Sequence, residues 1–528
     1  VRLRLFELRK KAPRTPAGDV ASVAGLGLSV AMSQYILAID QGTTSTRAIA
    51  FDMAFAPAAR AQRELTQHYP QPGWVEHDGN EIWDATVQVC AEVIKAVGGA
   101  ERIAAIGLTN QRETTLVWDR ETGAPIHRAI VWQDRRTAPV CDALRAAGHE
   151  GTVQRETGLL LDPYFSATKL AWILDAAKPA PDRKLCFGTV DSFLLWKLTG
   201  GKSHATDVTN AARTSLFSLH TQSWSPTLAA LFHAPLELLP QVRPSADHFG
   251  ETARELFGRA IPITGIAGDQ QAALVGHGCL RPGEAKATYG TGCFLVMHAG
   301  VHPAASQNRL LSTMGYSVPG ETAYALEGSI FSAGATIQWL KEGIGLIASS
   351  ADSEAVAVAL SGNGGVYCVP AFAGLGAPQW EADARGSVFG LTRDSTAAHL
   401  VRAGLEAIAY QTHDLLEALA ADGAPKIATL RVDGGVTGNA WAMQFLADIC
   451  ACPVERPAFQ EVTALGAAKL AALGAGLIPS LAAAPAQAIS ARFEPRMEAK
   501  ERMHLLAGWR AALAGTMAHA LASKQHKP

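Results

Sequence analysis

An α/β protein of two lobes is what the sequence predicts, and three observations carry that reading. Past Met32, short β-branched runs alternate with longer Ala/Leu-rich stretches of helical spacing, the pattern of strands covered by helices. The chain also says similar things twice. Tyr35 to Asp52 reads strand, Asp-Gln-Gly-Thr-Thr turn, strand, and Lys286 to Met297 reads strand, Tyr-Gly-Thr-Gly turn, strand. Finally, 528 residues are more than one core holds at roughly 150 residues per domain.

Taken in order, strands are expected at Tyr35 to Asp40, Thr46 to Asp52, Ile103 to Thr109, Thr114 to Trp118, Lys286 to Tyr289, Phe294 to Met297 and Thr429 to Val432. Each is a short apolar or β-branched run, and several end in Gly-rich punctuation. Helices are expected at Glu81 to Val97, Ala333 to Leu340, Ala397 to Leu419 and Val462 to Leu473. The third carries an apolar face at Leu400, Ala403, Ala407 and Tyr410, spaced to pack on a sheet. Pro282-Gly283 reads as a surface turn near the division. The lobes are therefore placed at residues 34–278 and 279–528.

Composition narrows the function. Apolar residues make up 48% and charged residues 18%, which fits a globular chain and excludes disorder. With 46 Lys and Arg against 48 Asp and Glu, the formal charge is −2; no overall field exists to hold a polyanion, so nucleic acid is not expected as a partner. No apolar run reaches the roughly 20 residues that span a bilayer, and no membrane insertion is expected. The eight cysteines form no CxxC pair; they read as buried, apolar-like thiols of a reducing, cytoplasmic compartment. Cys450 and Cys452 form a single CxC, which lacks the second pair a metal site needs.

The first 33 residues resemble a targeting segment. Arg2, Arg4, Arg9, Lys10, Lys11 and Arg14 precede a weakly apolar stretch and Ser29-Val30-Ala31, like a cleavage site. The apolar stretch is diluted by Ser22, Gly25, Gly27 and Ser29, and the strand expected from Tyr35 follows at once. The expectation is that Met32 is the start, with residues 1–33 a disordered or over-annotated extension.

Four segments carry chemistry. In Asp40-Gln41-Gly42-Thr43-Thr44-Ser45-Thr46-Arg47, Gly42 permits a tight turn, hydroxyls and amide N–H groups can donate to phosphate oxygens, and Arg47 adds a charged fork. Asp40, at the strand end, is placed to help hold a hydrated Mg²⁺. The second turn, Gly290-Thr291-Gly292, and the strand end Asp433-Gly434-Gly435 with Asn439 beyond offer further backbone for a phosphate or a flat ring. Asp269, after Gly268 in Ile-Thr-Gly-Ile-Ala-Gly-Asp-Gln-Gln, is the carboxylate suited to accept the proton of a substrate hydroxyl in phosphoryl transfer; it could equally cap a helix from Gln270. The run Thr109-Asn110-Gln111-Arg112-Glu113-Thr114-Thr115 lies between two apolar strands, and its side chains must face either solvent or a ligand. Tyr164, in Asp162-Pro163-Tyr164-Phe165, either packs or offers its hydroxyl. Gly201-Lys202-Ser203 is no Walker loop, because Trp196 stands where the first glycine is required. Signatures for a dinucleotide fold, zinc proteolysis and serine esterase chemistry are missing.

In this order the segments, with Gly73-Trp74-Val75-Glu76-His77-Asp78, Ala129 to Gln133, Tyr324 to Gly328 and Pro370 to Pro378, resemble the glycerol kinase branch of the FGGY carbohydrate kinases. The resemblance runs from Tyr35 to about Leu473. It implies two ribonuclease H-like lobes of the actin/hexokinase-type ATPase kind with a cleft between them, and transfer of phosphate from ATP to glycerol, giving sn-glycerol 3-phosphate. By similarity, Arg112, Glu113, Tyr164, Asp269 and Gln270 would meet glycerol hydroxyls, with Trp132 and Phe294 against its carbons. Asp269 would be the base. Thr43, Thr44, Ser45 and Arg47 would contact phosphates, joined by Thr291, Gly334, Gln338, Gly435 and Asn439, and Asp40 and Asp269 would lie near Mg²⁺. A dimer or tetramer is implied by resemblance alone. Two other functions compete: a kinase for another polyol or a ketose, and an actin-like or chaperone-type ATPase that transfers nothing to a small molecule.

Overall fold

The computed structural model describes residues 34–525; the expectation for residues 1–33 lies outside them. Two sheets organise the chain. The first is assembled from β1 (Tyr35–Gln41), β2 (Ser45–Phe51), β3 (Pro57–Glu64), β4 (Ile103–Asn110), β5 (Ala246–Glu251) and β6 (Pro262–Gly268), in the order β5-β6-β4-β1-β2-β3. The second takes β7 (Ala285–Tyr289), β8 (Cys293–Gly300), β9 (Leu311–Val318), β10 (Glu321–Ile330), β11 (Leu430–Asp433), β12 (Val454–Pro457) and β13 (Ile489–Phe493), in the order β9-β10-β8-β7-β11-β12-β13.

The repetition seen in the sequence is a repetition of topology. In the first sheet β1 pairs antiparallel with β2 and β2 with β3, while β1 pairs parallel with β4 and β4 with β6. In the second, β7 pairs antiparallel with β8 and β8 with β10, while β7 pairs parallel with β11 and β11 with β12. Both antiparallel entries turn on the Gly/Thr loops, at residues 42–44 and 290–292. Both parallel exits deliver a strand end, Asn110 or Asp433, to the same edge as its loop, since β4 and β11 run beside β1 and β7.

The central strands of the first sheet are covered on both faces, which is why β1, β2 and β4 read as near-continuous apolar runs, while the edge strand β3 is largely exposed. Leu37, Ile39, Ala48 and Ala50 pack with Ile82, Val89 and Val93 of α1 (Gly79–Ala96). Ile36, Ala38, Ile49 and Phe51, on alternate positions, pack with a helix from far along the chain. Beyond α2 (Asp269–Gly276), α3 (Gly334–Gln338), α4 (Ala397–Ala421) and α5 (Ala440–Cys450), that helix is α6 (Val462–Gly474). By sequence it belongs to the 279–528 half, yet it lies on the first sheet and on α2. The approach is close enough to need glycine: a Cβ on Gly466 would stand 1.7 Å from the Ala272 carbonyl oxygen, and one on Gly265 would stand 2.4 Å from Ala471 N. On the second sheet, α4 buries Ala403, Ala407, Tyr410, Leu415 and Leu419, largely the face its spacing predicted, with Leu400 half-buried. The last helix, α7 (Ala499–Gln525), sets Trp509 against Tyr410, rings stacked at 5.4 Å.

Some expected elements differ. The strand expected from Thr114 begins at Leu116, because Thr114 and Thr115 are taken by a turn described below. The helix expected over 333–340 is α-helical only to Gln338 and continues as a π turn to Gly343. All eight cysteines are free, and all but the half-buried Cys450 are buried. Among the described residues no helix is long and apolar enough to cross a membrane.

Candidate active site

Where β4 ends, the run Thr109 to Thr115 is buried, every residue 3% exposed or less. Its polar groups therefore face the interior and not solvent. Thr114 N donates to the Arg112 carbonyl at 2.7 Å, and Glu113 takes a left-handed φ of +61°. Three donors hold the Glu113 carbonyl in that conformation: Thr115 Oγ1 (2.9 Å), Ser166 Oγ (3.0 Å) and Lys169 Nζ (3.2 Å). Backbone strain of this kind persists only where the surroundings fix it.

The buried arginines of the site are paired with carboxylates. Arg112 donates from Nη1 and Nη2 to the two oxygens of Glu327 (2.5 and 3.0 Å), and its Nε lies 3.1 Å from Asp269 Oδ1. Arg213 donates from Nε to Glu113 Oε1 at 2.6 Å and from Nη2 to Glu327 Oε1 at 3.0 Å. Isolated charges in such a place would be costly; a bidentate fork with further partners offsets that cost. Burial pushes the Glu327 carboxyl up, but Arg112 and Arg213 outweigh it and hold the pKa down at about 2. For Glu113 burial wins over Arg213 and Arg112, and its pKa is raised. Burial likewise raises the Tyr164 phenol, whose oxygen lies 3.5 Å from Arg112 Nη2.

Asp269 opens α2 directly after β6. The cap position itself belongs to Gly268, and Asp269 Oδ1 accepts from Gln270 N at 2.7 Å. Its side chain is 31% exposed, the accessible carboxylate among these acids. Asp40 stands at the end of β1 with Arg47 as its register partner on β2, Nη1 3.7 Å from Oδ2. Burial raises the Asp40 pKa to about 7; Arg47 opposes, while Glu461 and Asp269 add to the rise. Asp269 thus lies near enough to Asp40 to be felt by its carboxyl, and the two offer only oxygen donors. An oxygen-preferring divalent cation fits that donor set.

Two adjoining cavities collect the predicted residues. The smaller, ≈ 220 Å³, is lined by Thr43, Thr44, Arg112, Glu113, Trp132, Tyr164, Asp269, Gln270, Thr291 and Phe294, together with Thr288, Gly290 and Gly292. Trp132 meets Tyr164 and Phe294 edge-on at 5.6 and 5.8 Å, and its Nε1 donates to Thr43 Oγ1 at 2.9 Å. The larger, ≈ 550 Å³, is lined by Thr291, Gly334, Gln338, Gly435 and Asn439 among others. Gly290 and Thr291 line both. Gly334 N donates to the Gly290 carbonyl at 2.9 Å, docking the loop on the start of α3. Gly434 has a φ of +94°, and a Cβ there would meet the Tyr289 carbonyl oxygen at 2.4 Å.

Three predicted residues line neither cavity. Ser45 closes the first loop, its carbonyl accepting from Gly42 N at 2.9 Å. Asp40 stands behind that loop. Arg47 is engaged elsewhere: its Nη1 donates to Glu461, and its Nε and Nη2 donate to Gln62 Oε1 at 3.0 and 2.8 Å.

Sequence reasoning missed Arg213, Glu327, Lys286 and the pair His277–Asp433, whose Nε2 and Oδ2 are 2.5 Å apart. A signal existed for two of them. Glu327 interrupts the apolar run Ala325-Leu326 and Lys286 stands between Ala285 and Ala287, charged residues in strand interiors that burial does not tolerate without partners.

Duplicated lobes, a Gly/Thr loop from each, and a small polar cavity abutting a larger one define a phosphotransfer enzyme of the actin/hexokinase-type fold. The chain belongs to the FGGY family of carbohydrate kinases: the family's N-terminal domain matches residues 35–276 and its C-terminal domain residues 285–475. It is 57% identical to a glycerol kinase of Ectopseudomonas mendocina, over 90% of this chain and 98% of that one. With glycerol kinase 1 of Pseudomonas aeruginosa it shares 55% identity, over 91% and 99%. Among solved structures, Plasmodium falciparum glycerol kinase with ADP superposes with a TM-score of 0.84 at 35% identity, covering 92% of this chain and 98% of that one.

Proposed function

We propose that this chain transfers the γ-phosphoryl group of ATP to a primary hydroxyl of glycerol, giving sn-glycerol 3-phosphate and ADP, the first step of glycerol catabolism. The observation that carries the reading is the pair of cavities sharing the Gly290-Thr291 wall, with one accessible carboxylate, Asp269, in the smaller. At ≈ 220 Å³ that cavity is below the roughly 300–1,000 Å³ of drug-sized pockets, a fit for a three-carbon polyol. The relatives named above point to the same substrate.

In this reading residues 34–278 bind glycerol and phosphate and residues 279–528 bind the nucleotide. Arg112, Glu113, Tyr164, Asp269 and Gln270 meet the hydroxyls, since a triol buried with any group unpaired would lose about 1–3 kcal/mol per group. The indole of Trp132 and the ring of Phe294 cover the carbons. Asp269 orients the attacking hydroxyl and takes its proton as the oxygen–phosphorus bond forms, ADP leaving on the opposite side. Thr43, Thr44 and Ser45 offer hydroxyl and amide donors to the phosphates from one loop, and Thr291 from the other; Gly334, Gln338, Gly435 and Asn439 line the nucleotide's place. Arg47 serves beside Asp40, balancing charge while it holds Glu461. Asp40 and Asp269 would hold Mg²⁺, which when bound supplies positive charge to the phosphate oxygens. Exclusion of water from between the lobes keeps ATP from being hydrolysed instead.

The test is ADP release at fixed Mg-ATP across a substrate set. Stimulation by glycerol is expected. Stimulation by xylulose or another sugar in its place would move the chain to a different polyol or ketose kinase, and stimulation by neither would make it an ATPase of another kind.

A further inference from the structure

Lys286 is a buried charge with no part in the chemistry of transfer proposed for Asp269. It stands in β7, fully buried, and its ammonium donates to three neutral acceptors: Gln270 Oε1, Thr288 Oγ1 at 2.9 Å and the Phe294 carbonyl at 3.4 Å. Burial lowers its pKa, with Asp433 and Asp269 opposing. A cation kept in such a place at the expense of its hydration reaches from the second sheet to a residue of α2 that lines the smaller cavity.

The chemistry of that contact is one-sided. A lysine ammonium has three donors and no acceptor, whereas a glutamine amide has a carbonyl oxygen on one side and an NH₂ on the other. The atom of Gln270 that faces Lys286 must be the oxygen, which turns the NH₂ away. Among the described residues no protein acceptor takes up that NH₂, and Gln270 lines the cavity.

We infer that Lys286 is a positioning residue that locks the Gln270 amide with its NH₂ toward the substrate, so that the cavity presents a donor at that point and not an acceptor. With Arg112 and Gln270 as donors and Glu113 and Asp269 as acceptors, the cavity matches hydroxyls, each of which both donates and accepts. A glutamine free to flip would present the wrong face part of the time, and a third acceptor beside two carboxylates would leave substrate oxygens short of donors.

The inference rests on the reading of this cavity as the glycerol site, and the experiment separates the two. Glycerol binding by calorimetry, with the KM for glycerol and for ATP, is measured on the full chain and on Lys286→Met, Gln270→Leu and the double variant. Lys286→Met is expected to weaken glycerol binding and raise its KM roughly tenfold, the size of one lost hydrogen bond in a buried site. The KM for ATP is expected to stay within about twofold, a split that general loosening of the fold would not give. The double variant is expected to be no worse than Gln270→Leu alone. If Lys286→Met does not fold, the full chain with labelled glutamine side-chain nitrogen decides: on adding glycerol, the Gln270 NH₂ resonance, identified by its loss in Gln270→Leu, is expected to shift. A full chain that binds no glycerol overturns the functional reading and the inference with it. A full chain that binds glycerol, while Lys286→Met binds it within twofold as tightly, or the two losses multiply in the double variant, or the Gln270 NH₂ is unmoved, overturns the inference alone.

Discussion

Replacing Glu327 by Gln should be among the most damaging single changes outside the cavity wall, and its size can be worked two ways. Glu327 is fully buried and receives both terminal nitrogens of Arg112 and one of Arg213. Gln keeps the shape but turns an NH₂ toward guanidinium donors and leaves Arg112 and Arg213 to share Asp269 and Glu113 as charge partners, a change that costs up to about 3–5 kcal/mol for a buried pair. Independently, a carboxyl held at about 2 instead of 4.5 corresponds to about 3 kcal/mol at neutral pH. The folded pKa lies below the unfolded one, so the unfolded chain binds the proton more readily. This stability is fully present above pH 4.5 and is lost as pH falls toward 2. Urea unfolding of both proteins at pH 7, 5 and 4 checks the reasoning, as does the glycerol KM, which should rise because Arg112 loses its brace. A wide gap at pH 7 that begins to close below pH 4.5 is expected. A gap under about 1 kcal/mol at pH 7, or one that does not narrow in acid, would refute it.

Three further outcomes follow from local geometry. Gly466→Ala puts a Cβ 1.7 Å from the Ala272 carbonyl oxygen, backbone against backbone, and should lower stability by about 3 kcal/mol or abolish soluble expression; an unchanged melting temperature would contradict the close docking of α6. Gly435→Ala meets nothing within 4 Å yet lines the larger cavity, so the KM for ATP should rise while the melting temperature stays put. Trp132→Phe keeps an aromatic wall but removes the donor to Thr43 Oγ1. A several-fold fall in kcat/KM, about 1 kcal/mol, is expected from steady-state kinetics.

How much of this was legible in the sequence depended on whether a residue's neighbours lie near it in the chain. The central strands β1, β2 and β4 of the first sheet were legible because burial leaves a near-unbroken apolar run, whereas the exposed, polar β3 and the half-buried β5 carry no such signal; the two Gly/Thr loops were legible because a turn's chemistry is written in consecutive residues. Arg112 and Glu113 were visible as a polar run between strands, although only the fold shows that it points inward. The partners of those charges were not legible: Arg213 and Glu327 are separated from Arg112 by 101 and 215 positions, and no local pattern links them. Arg47 illustrates the converse. Its place after the Thr-Thr loop suggested phosphate, but Glu461, from the loop before α6, takes up its guanidinium. The return of α6 to the first sheet escaped notice for the same reason, since an Ala/Gly-rich helix does not announce which sheet it will cover.

The central claim, that Asp269 takes the proton of a glycerol hydroxyl as phosphate moves from ATP, is tested most directly by the turnover number of Asp269→Asn measured beside its affinity for ATP. A fall of about 10²–10⁴-fold in kcat, with ATP bound within a few-fold as tightly as before, is the predicted result. Turnover close to that of the unaltered chain would contradict it and assign the base elsewhere.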